Sequence, residues 1–178
     1  MPFPVRAWEP VDAAATPEVF RRSVHVTAAA DHSPDQRADW VPDDVDVQEW
    51  GRARAPAGTR TAVHDGTTAG FTDLSPRGHI GMFHVHPDHG RRGVGAALLA
   101  DVLREAAARG LQQLTVDAGP AARPFSERAG FTVVRWQRVQ RGGREFTNVA
   151  MRLLLAAGGG RKDQRSRTEE ERACAGRR

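Results

Sequence analysis

The chain has 178 residues, enough for one domain with a sizeable core, and a formal net charge of +4. Its single cysteine, Cys174, excludes an internal disulfide framework and a metal site built from several cysteines. No apolar run is long enough to span a membrane, and the first residues lack the apolar core of a signal peptide. We therefore expect a cytoplasmic protein.

The positive charge is concentrated near the C-terminus and does not indicate nucleic-acid binding. Residues 156–178 hold seven Lys/Arg and four Asp/Glu, whereas residues 1–155 hold nineteen Arg and eighteen Asp/Glu. A nearly neutral domain lacks the basic surface that binds a phosphate backbone. The last segment mixes both charges, contains three consecutive glycines and has no apolar periodicity. We predict a domain over 1–155 and a flexible polar tail over 156–178.

Short helices dominate the first third of the chain. Thr16-Pro17-Glu18 is a typical helix start, with a capping residue, a proline and an early acid, and Ser33-Pro34-Asp35 has the same pattern. The predicted elements here are a strand over 5–8, a helix over 16–26, a short helix from 33 carrying Trp40, and a third segment from 42 carrying Trp50.

Strands then alternate with turns and two helices. Asp65-Gly66 and Pro76-Arg77-Gly78 are turn sequences, and Gly110 is typical of the residue that follows a helix. The predicted elements are strands over 60–64, 69–74 and 79–85, a helix over 93–109, a strand over 111–116, a helix over 121–129, and a hairpin of 131–139 with 146–155.

The most informative segment is the Gly/Arg-rich turn between the third of these strands and the long helix. From His84 to Leu99 it reads HVHPDHGRRGVGAALL. The strand stops at Pro87 and the helix begins among the glycines, so several backbone N–H groups converge at a helix N-terminus. Such a turn predicts a binding site for a phosphate or pyrophosphate.

Two common phosphate-binding motifs do not fit this turn. A dinucleotide-binding fold needs G-x-G-x-x-G directly after its first strand, but Leu98 occupies the third glycine position and the turn follows three antiparallel-looking strands. A Walker P-loop needs a lysine followed by Ser or Thr, and the turn contains no lysine.

A third motif does fit. The run Val85-x-Pro87-x-x-Gly90-Arg91-Arg92-Gly93-Val94-Gly95-Ala96-x-Leu98-Leu99 resembles the acetyl-CoA-binding motif of the GNAT superfamily of N-acetyltransferases, whose pattern is Gln/Arg-x-x-Gly-x-Gly/Ala. Gly70-Phe71 resembles a strand of that family, and residues 125–131 (FSERAGF) resemble its F-Y-E-K-x-G-F segment. The resemblance covers roughly residues 60–155. It implies an α/β (α+β) fold with a central mixed, mostly antiparallel sheet flanked by helices.

The resemblance also implies acetyl-CoA as the co-substrate. Backbone N–H groups in the turn would hold its pyrophosphate, and a backbone N–H near Phe83 would polarise the thioester carbonyl. Two positions depart from the family: Gly90 stands at the Gln/Arg position, with Arg91 beside it, and Ser126 replaces the tyrosine that often protonates the leaving thiolate. The candidates for cofactor binding are Phe83, Val85, Gly90, Arg91, Arg92, Gly93, Val94, Gly95, Ala96, Phe125 and Ser126.

The candidate catalytic residues are His79, His84 and Ser126. His79 is the first choice for the general base, because some members of the family carry a glutamate at the matching position and an imidazole titrates near neutral pH. His84 is predicted to lie on the opposite face of the same strand, so we expect one of the two histidines to face the cleft. Ser126 is expected to contact the CoA sulfur or the pantetheine arm. A strand with a proline turn does not close a tetrahedral site, so no metal is expected.

The acceptor is the part that the sequence determines least. Candidates for lining its cleft are Trp40, Trp50, Trp136 and Phe146, with core packing as the alternative. Five acids favour a cationic acceptor, with a solvated helix face as the alternative; they are Asp31, Asp35, Asp39, Asp43 and Asp44.

The favoured function is acetyl transfer to a primary amine of a small molecule, such as an aminoglycoside-type antibiotic, in resistance or self-protection. Two alternatives stay open: a protein or peptide N-acetyltransferase, and a weakly catalytic acetyl-CoA-binding regulatory module. No nucleic-acid or membrane partner is expected, and a homodimer is left open.

Overall fold

The computed structural model describes residues 3–41 and 45–156. Asp43, Asp44 and the predicted tail from 157 onward lie outside the described residues, and the domain boundary stays a prediction. The helices and strands are β1 Val5–Ala7, α1 Ala15–Arg22, α2 Pro34–Trp40, α3 Val47–Arg54, β2 Arg60–His64, β3 Thr67–Thr72, β4 His79–Ile80, β5 Phe83–Val85, α4 Val94–Ala108, β6 Gln113–Ala118, α5 Arg123–Arg128, β7 Thr132–Arg141 and β8 Arg144–Leu154.

The N-terminal helices begin at capping side chains. The Ser33 hydroxyl accepts from the Gln36 N–H at 3.2 Å and the Gln36 side chain accepts from the Ser33 N–H at 2.9 Å, which starts α2. Helix α3 begins at Val47, later than predicted, because the carboxylate of Asp46 caps it. After α1 the chain continues as a π-helical turn, Ser23–Thr27, where an ordinary helix was predicted up to residue 26.

The strands form a sheet in two halves. One half has the order β1-β2-β3-β5 and the other the order β4-β6-β8-β7. The β4–β6 pair is parallel, and the other neighbours are antiparallel. The predicted fold class, a mixed and mostly antiparallel sheet flanked by helices, is confirmed, with the sheet divided between two halves.

Helix α4 joins the two halves. Val94 and Leu98 pack in the core cluster of the β2–β3 half, and Leu99, Val102 and Ala106 pack in that of the β6–β8 half. The first turn of α4 is thereby fixed at the place where the halves separate.

The predicted strand 79–85 is two strands in the structure. His79 and Ile80 pair with β6, whereas Phe83–Val85 pairs with β3. The carboxylate of Asp73 causes the change, because its Oδ1 accepts hydrogen bonds from the N–H groups of Gly81 and Met82 at 2.8 and 2.9 Å. These two N–H groups therefore bond to a side chain instead of a neighbouring strand.

The division of this strand also changes which way its side chains point. Ile80 and Phe83 are three residues apart, yet both pack against the core on the α4 side. On a continuous strand they would point to opposite faces. His79 and His84 therefore lie on the same face, away from α4, and the prediction that they lie on opposite faces is wrong.

Candidate functional site

A cavity of about 740 Å³ opens where β5 separates from β6. Its walls come from β5, the end of β6, the first turn of α4 and helix α5 on one side. Residues of the π-helical turn and of α2 line the other side. Strand backbone, a helix N-terminus and side chains of the N-terminal helices thus surround one space.

The free edge of β5 faces this cavity. β5 is the outer strand of its half, and the N–H of His86, just beyond it, donates to the carbonyl of Ala69 at 2.9 Å across the β3 pair. Because backbone groups alternate along an antiparallel strand, the N–H and C=O groups of Phe83 and Val85 point away from β3. Both residues line the cavity. Among the residues that the structure describes, these backbone donors and acceptors have no partner, so a ligand can bind them.

The turn before α4 exposes further N–H groups. The first bond within the helix joins the N–H of Ala97 to the carbonyl of Gly93 at 3.0 Å, so the N–H groups of 94–96 have no carbonyl partner in the helix. Gly93 has φ 96° and Arg91 has φ 60°, left-handed values that curl the chain at this point. A Cβ at Gly93 would meet no protein atom within 4 Å. The turn is therefore an open anion site at a helix N-terminus.

The predicted cofactor-binding residues line the cavity, with the exception of Arg92. The Arg92 guanidinium lies beside other side chains, with Nη2 at 3.4 Å from Nε2 of His64 and Nη1 at 3.5 Å from Nδ1 of His89. Gly95 lies against the ring of Phe125, since a Cβ there would come within 3.3 Å of it.

Ser126 is buried in α5 and lines the cavity. Its hydroxyl donates to the carbonyl of Ala122 at 3.3 Å. This position suits a hydrogen bond to a ligand in the cavity, as predicted for the pantetheine arm or the sulfur of CoA.

His84 is the candidate histidine that lines the cavity. The hydroxyl of Ser23 donates its one proton to the carbonyl of Phe20 at 2.8 Å, so at 2.8 Å from His84 Nδ1 it acts as the acceptor. Nδ1 therefore carries the ring proton and Nε2 carries the lone pair. Burial, together with the charge of Arg54, lowers the pKa of His84 to about 4, so the imidazole is neutral at physiological pH.

His79 has a different environment. Its Nδ1 lies 3.0 Å from the hydroxyl of Thr115, and the residue is not part of the cavity lining. Its role as the base stays a prediction.

The four aromatic candidates for the acceptor cleft also differ in whether they line the cavity. Trp40 lines the cavity. Phe146 is 2% exposed and packs against Trp40, with ring centroids 5.4 Å apart. Trp50 packs on Phe20 in the core, and Trp136 is 55% exposed on β7 outside the cavity.

The predicted acidic face is divided as well. Asp35 and Asp39 form ion pairs with Arg144 at 3.3 and 2.7 Å, which tie α2 to the β7–β8 hairpin. Asp31 lines the cavity, and its carboxylate has no hydrogen bond or ion pair among the described residues. A second cavity-lining acid, Asp117, accepts from the Gln137 side chain at 2.9 Å.

Sequence reasoning did not find Ser23, His32, Asp73 or Asp117. Ser23 and His32 line the cavity from the segment between α1 and α2, and Asp117 lines it from the end of β6. The one local signal was the position of Asp117 at the end of a predicted strand. Ser23 and His32 are recognisable only from the tertiary fold, and Asp73 only from its hydrogen bonds to the N–H groups of Gly81 and Met82.

Within residues 3–41 and 45–156, no group of three or more His, Cys, Asp or Glu side chains is close enough together to hold a metal ion. None of the helices in the described part of the chain is long and apolar enough to cross a membrane. The cytoplasmic location stays a prediction.

Comparison with known proteins identifies what this architecture is similar to. A family model described as "Acetyltransferase (GNAT) domain" matches residues 28–154. The chain is 34% identical over 148 residues to "Uncharacterized N-acetyltransferase YafP" of Escherichia coli (strain K12), a match that covers 83% of this chain and 93% of that protein. It is 32% identical over 159 residues to "Mycothiol acetyltransferase" of Kineococcus radiotolerans, covering 83% of this chain and 52% of that protein.

Solved structures of acetyltransferases have a similar fold. A GCN5-related N-acetyltransferase from Rhodopseudomonas palustris superposes with a TM-score of 0.83 and 31% identity, covering 87% of this chain and 97% of the other. The structure of yncA from Salmonella typhimurium with its cofactor acetyl-CoA superposes with a TM-score of 0.66 and 24% identity, covering 86% and 94%.

Proposed function

Because the chain belongs to the GNAT superfamily of N-acetyltransferases, with acetyl-CoA as co-substrate, we propose that it acetylates a primary amine of a small molecule. An aminoglycoside-type antibiotic is the proposed example, with resistance or self-protection as the role. The observation that carries the proposal is the cavity of about 740 Å³ between the two halves of the sheet. Small-molecule sites typically measure about 300–1,000 Å³. Since this one must also admit the acetyl end of the donor, the remaining space suits a small acceptor.

Donor binding is assigned to backbone groups. The N–H groups of 94–96, at the positive end of the α4 dipole, would hold the pyrophosphate. The free edge of β5 would hydrogen-bond the pantetheine arm, and a backbone N–H near Phe83 would stabilise the negative charge that develops on the thioester oxygen. The open space at Gly93 supports close approach of the donor to the turn.

His84 is the proposed proton acceptor. The hydrogen bond to Ser23 leaves the lone pair on Nε2, and the lowered pKa keeps the ring neutral and able to accept. As the amine nitrogen forms its bond to the acetyl carbon, its N–H becomes more acidic and the proton can pass to Nε2. His79 remains the alternative base proposed from the sequence.

Departure of the thiolate completes the reaction. The C–S bond breaks, and the sulfur takes a proton from solvent in a site where Ser126 replaces the usual tyrosine. Ser126 is proposed to orient the sulfur or the pantetheine arm by a hydrogen bond.

The decisive experiment measures thiol release from acetyl-CoA with a panel of amines. We expect turnover with aminoglycosides or other small cationic amines, and little turnover with peptides that carry a free N-terminal amine. Preference for the peptides would replace the proposal with a protein N-acetyltransferase. Binding of acetyl-CoA without turnover of any amine would favour the regulatory module.

A further inference from the structure

His32 lies in the cavity wall, and its side chain is mostly covered by neighbouring residues. It is 8% exposed, and neither ring nitrogen has a hydrogen bond within residues 3–41 and 45–156. Because no described protein group occupies its ring nitrogens, the imidazole can hydrogen-bond a ligand that enters the cavity. His32 precedes Ser33, the residue that caps α2, so its backbone position is well fixed.

The imidazole of His32 is held by aromatic rings. Its centroid lies 5.3 Å from that of Trp40 and 5.4 Å from that of Phe146, with interplanar angles of 63° and 60°. Trp40 lines the cavity beside it, and Phe146 lies in the core behind. Two rings thus fix the orientation of the imidazole, which makes a hydrogen bond from it directional.

The surroundings of His32 favour the neutral form of its imidazole. Burial lowers its pKa, and the charge of Arg37 adds to the effect while Asp31 opposes it. A neutral imidazole has one N–H donor and one acceptor nitrogen. It therefore suits a hydroxyl group, which can both donate and accept, better than an ammonium group, which can only donate. The adjacent carboxylate of Asp31 lines the same cavity and is unpaired among the described residues.

We propose that His32, Asp31 and Trp40 form the acceptor subsite, and that the acceptor is an amino alcohol or amino sugar with a hydroxyl group close to its primary amine. This inference rests on the proposed acetyl transfer to a small amine. His32 hydrogen-bonds the hydroxyl, Asp31 attracts the ammonium form, and Trp40 provides an apolar surface for the ring that carries both groups. Asp117 adds a second carboxylate on the opposite wall.

The test compares two amines that differ in one hydroxyl, 2-aminocyclohexanol and cyclohexylamine, as acceptors in the thiol-release assay. For the wild-type protein we expect kcat/KM to favour 2-aminocyclohexanol by about tenfold, the value of one hydrogen bond. His32→Phe keeps the ring packing and removes the hydrogen bond, so it should reduce this ratio to about one. Reporting the ratio cancels general effects of the substitution on the rate.

The matched control is His25→Phe. His25 lies on the same N-terminal segment but is not in the cavity lining, so this variant should keep the wild-type ratio. A second pair tests the charge: Asp31→Asn should raise KM for both amines at low salt with kcat little changed, whereas Asp65→Asn, in the exposed β2–β3 turn, should not. If His32→Phe does not fold, His32→Gln and the comparison of Asp31→Asn with Asp65→Asn still test the acceptor subsite.

The outcomes separate this subsite from the proposed function. Turnover with the same hydroxyl preference in His32→Phe and in the wild type overturns the subsite alone. Absence of thiol release with every amine, glucosamine included, overturns acetyl transfer to a small amine and the subsite with it.

Discussion

The carboxylate of Asp73 pairs with the guanidinium of Arg54 at 2.7 Å, and both side chains are largely buried, with 10% and 14% of their surface exposed. One carboxylate oxygen binds the arginine and the other accepts the two N–H groups at which β4 ends and β5 begins. Arg54 is the last residue of α3 and lies 19 positions before Asp73, so the end of that helix helps to fix the place where the strand divides.

Replacing Asp73 should therefore affect ligand binding as well as stability. Asp73→Ala leaves a buried arginine uncompensated and two backbone N–H groups without their acceptor, so we expect the free energy of unfolding to fall by about 3 kcal/mol. The opening between β5 and β6 should also lose its shape and weaken binding of acetyl-CoA. Urea denaturation measures the first effect, and calorimetry below the unfolding transition measures the second.

Asp101→Ala is the matched control. Asp101 is also buried and accepts from Arg60 at 2.6 Å, but unlike Asp73 it binds none of the N–H groups at which β4 ends and β5 begins. It should lose comparable stability and keep its affinity for acetyl-CoA. Equal affinities in the two variants would show that Asp73 only stabilises the fold.

Asp73 also shows why sequence reasoning placed the strand wrongly. The run from His79 to Val85 has the composition of one strand, and the side chain that interrupts it comes from a different segment. Because the strand divides, His79 and His84 lie on the same face, and the alternation of side chains along a strand does not predict this. Local patterns, by contrast, did predict the capped start of α2, the length of α4 and the turn that precedes it.

The acceptor side was difficult for the same reason. Trp40 and Trp136 are alike as residues in a sequence, but only the packing of α2 against β8 decides that one lines the cavity and the other is exposed. Arg144 neutralises Asp35 and Asp39 from a hairpin more than a hundred positions away. Pairings of this kind depend on the tertiary fold and carry no local signal.

The turn before α4 provides a prediction about donor binding. Gly93→Val places a side chain in the open space above the turn and forces a β-branched residue to φ 96°. We expect loss of acetyl-CoA binding by calorimetry with the fold retained. Gly110→Val imposes similar strain at the other end of α4, with φ 67° and open space, and should bind normally. Normal binding by Gly93→Val would contradict the donor site as a whole.

The two candidate bases make opposite predictions. If His84 accepts the proton, His84→Gln should lower kcat about 100-fold or more while KM for acetyl-CoA changes little, and His79→Gln should leave kcat within a few fold of the wild type. Steady-state rates across the pH range measure both variants. The role would return to His79 if His79→Gln lost most of its kcat and the acid limb of its pH–rate profile, while His84→Gln lost little kcat.

The pKa of His84 also predicts how stability depends on pH. Its folded-state pKa of about 4 lies below the ordinary value of 6.5, so the unfolded chain takes up the proton first as the pH falls. Stability should therefore decrease between about pH 6.5 and pH 4, and the lowered pKa of His32 acts in the same direction. Urea denaturation at pH 7 and pH 5 should show a smaller loss in His84→Gln than in the wild type. Equal losses would mean that His84 is not buried in its neutral form.

A substitution at Ser126 tests how the leaving thiolate is protonated in a site that has no tyrosine. A serine hydroxyl is a weak acid, and that of Ser126 already donates to the carbonyl of Ala122, so it is poorly suited to protonate sulfur. We expect Ser126→Ala to keep a near-normal kcat and to raise KM for acetyl-CoA a few fold, as measured by thiol release. Ser75→Ala removes a hydroxyl that accepts from the His79 N–H outside the cavity, and it should change neither constant. A loss of kcat in Ser126→Ala that matches the loss in His84→Gln would make Ser126 the acid, because removing a group that protonates the sulfur lowers kcat even when the donor still binds.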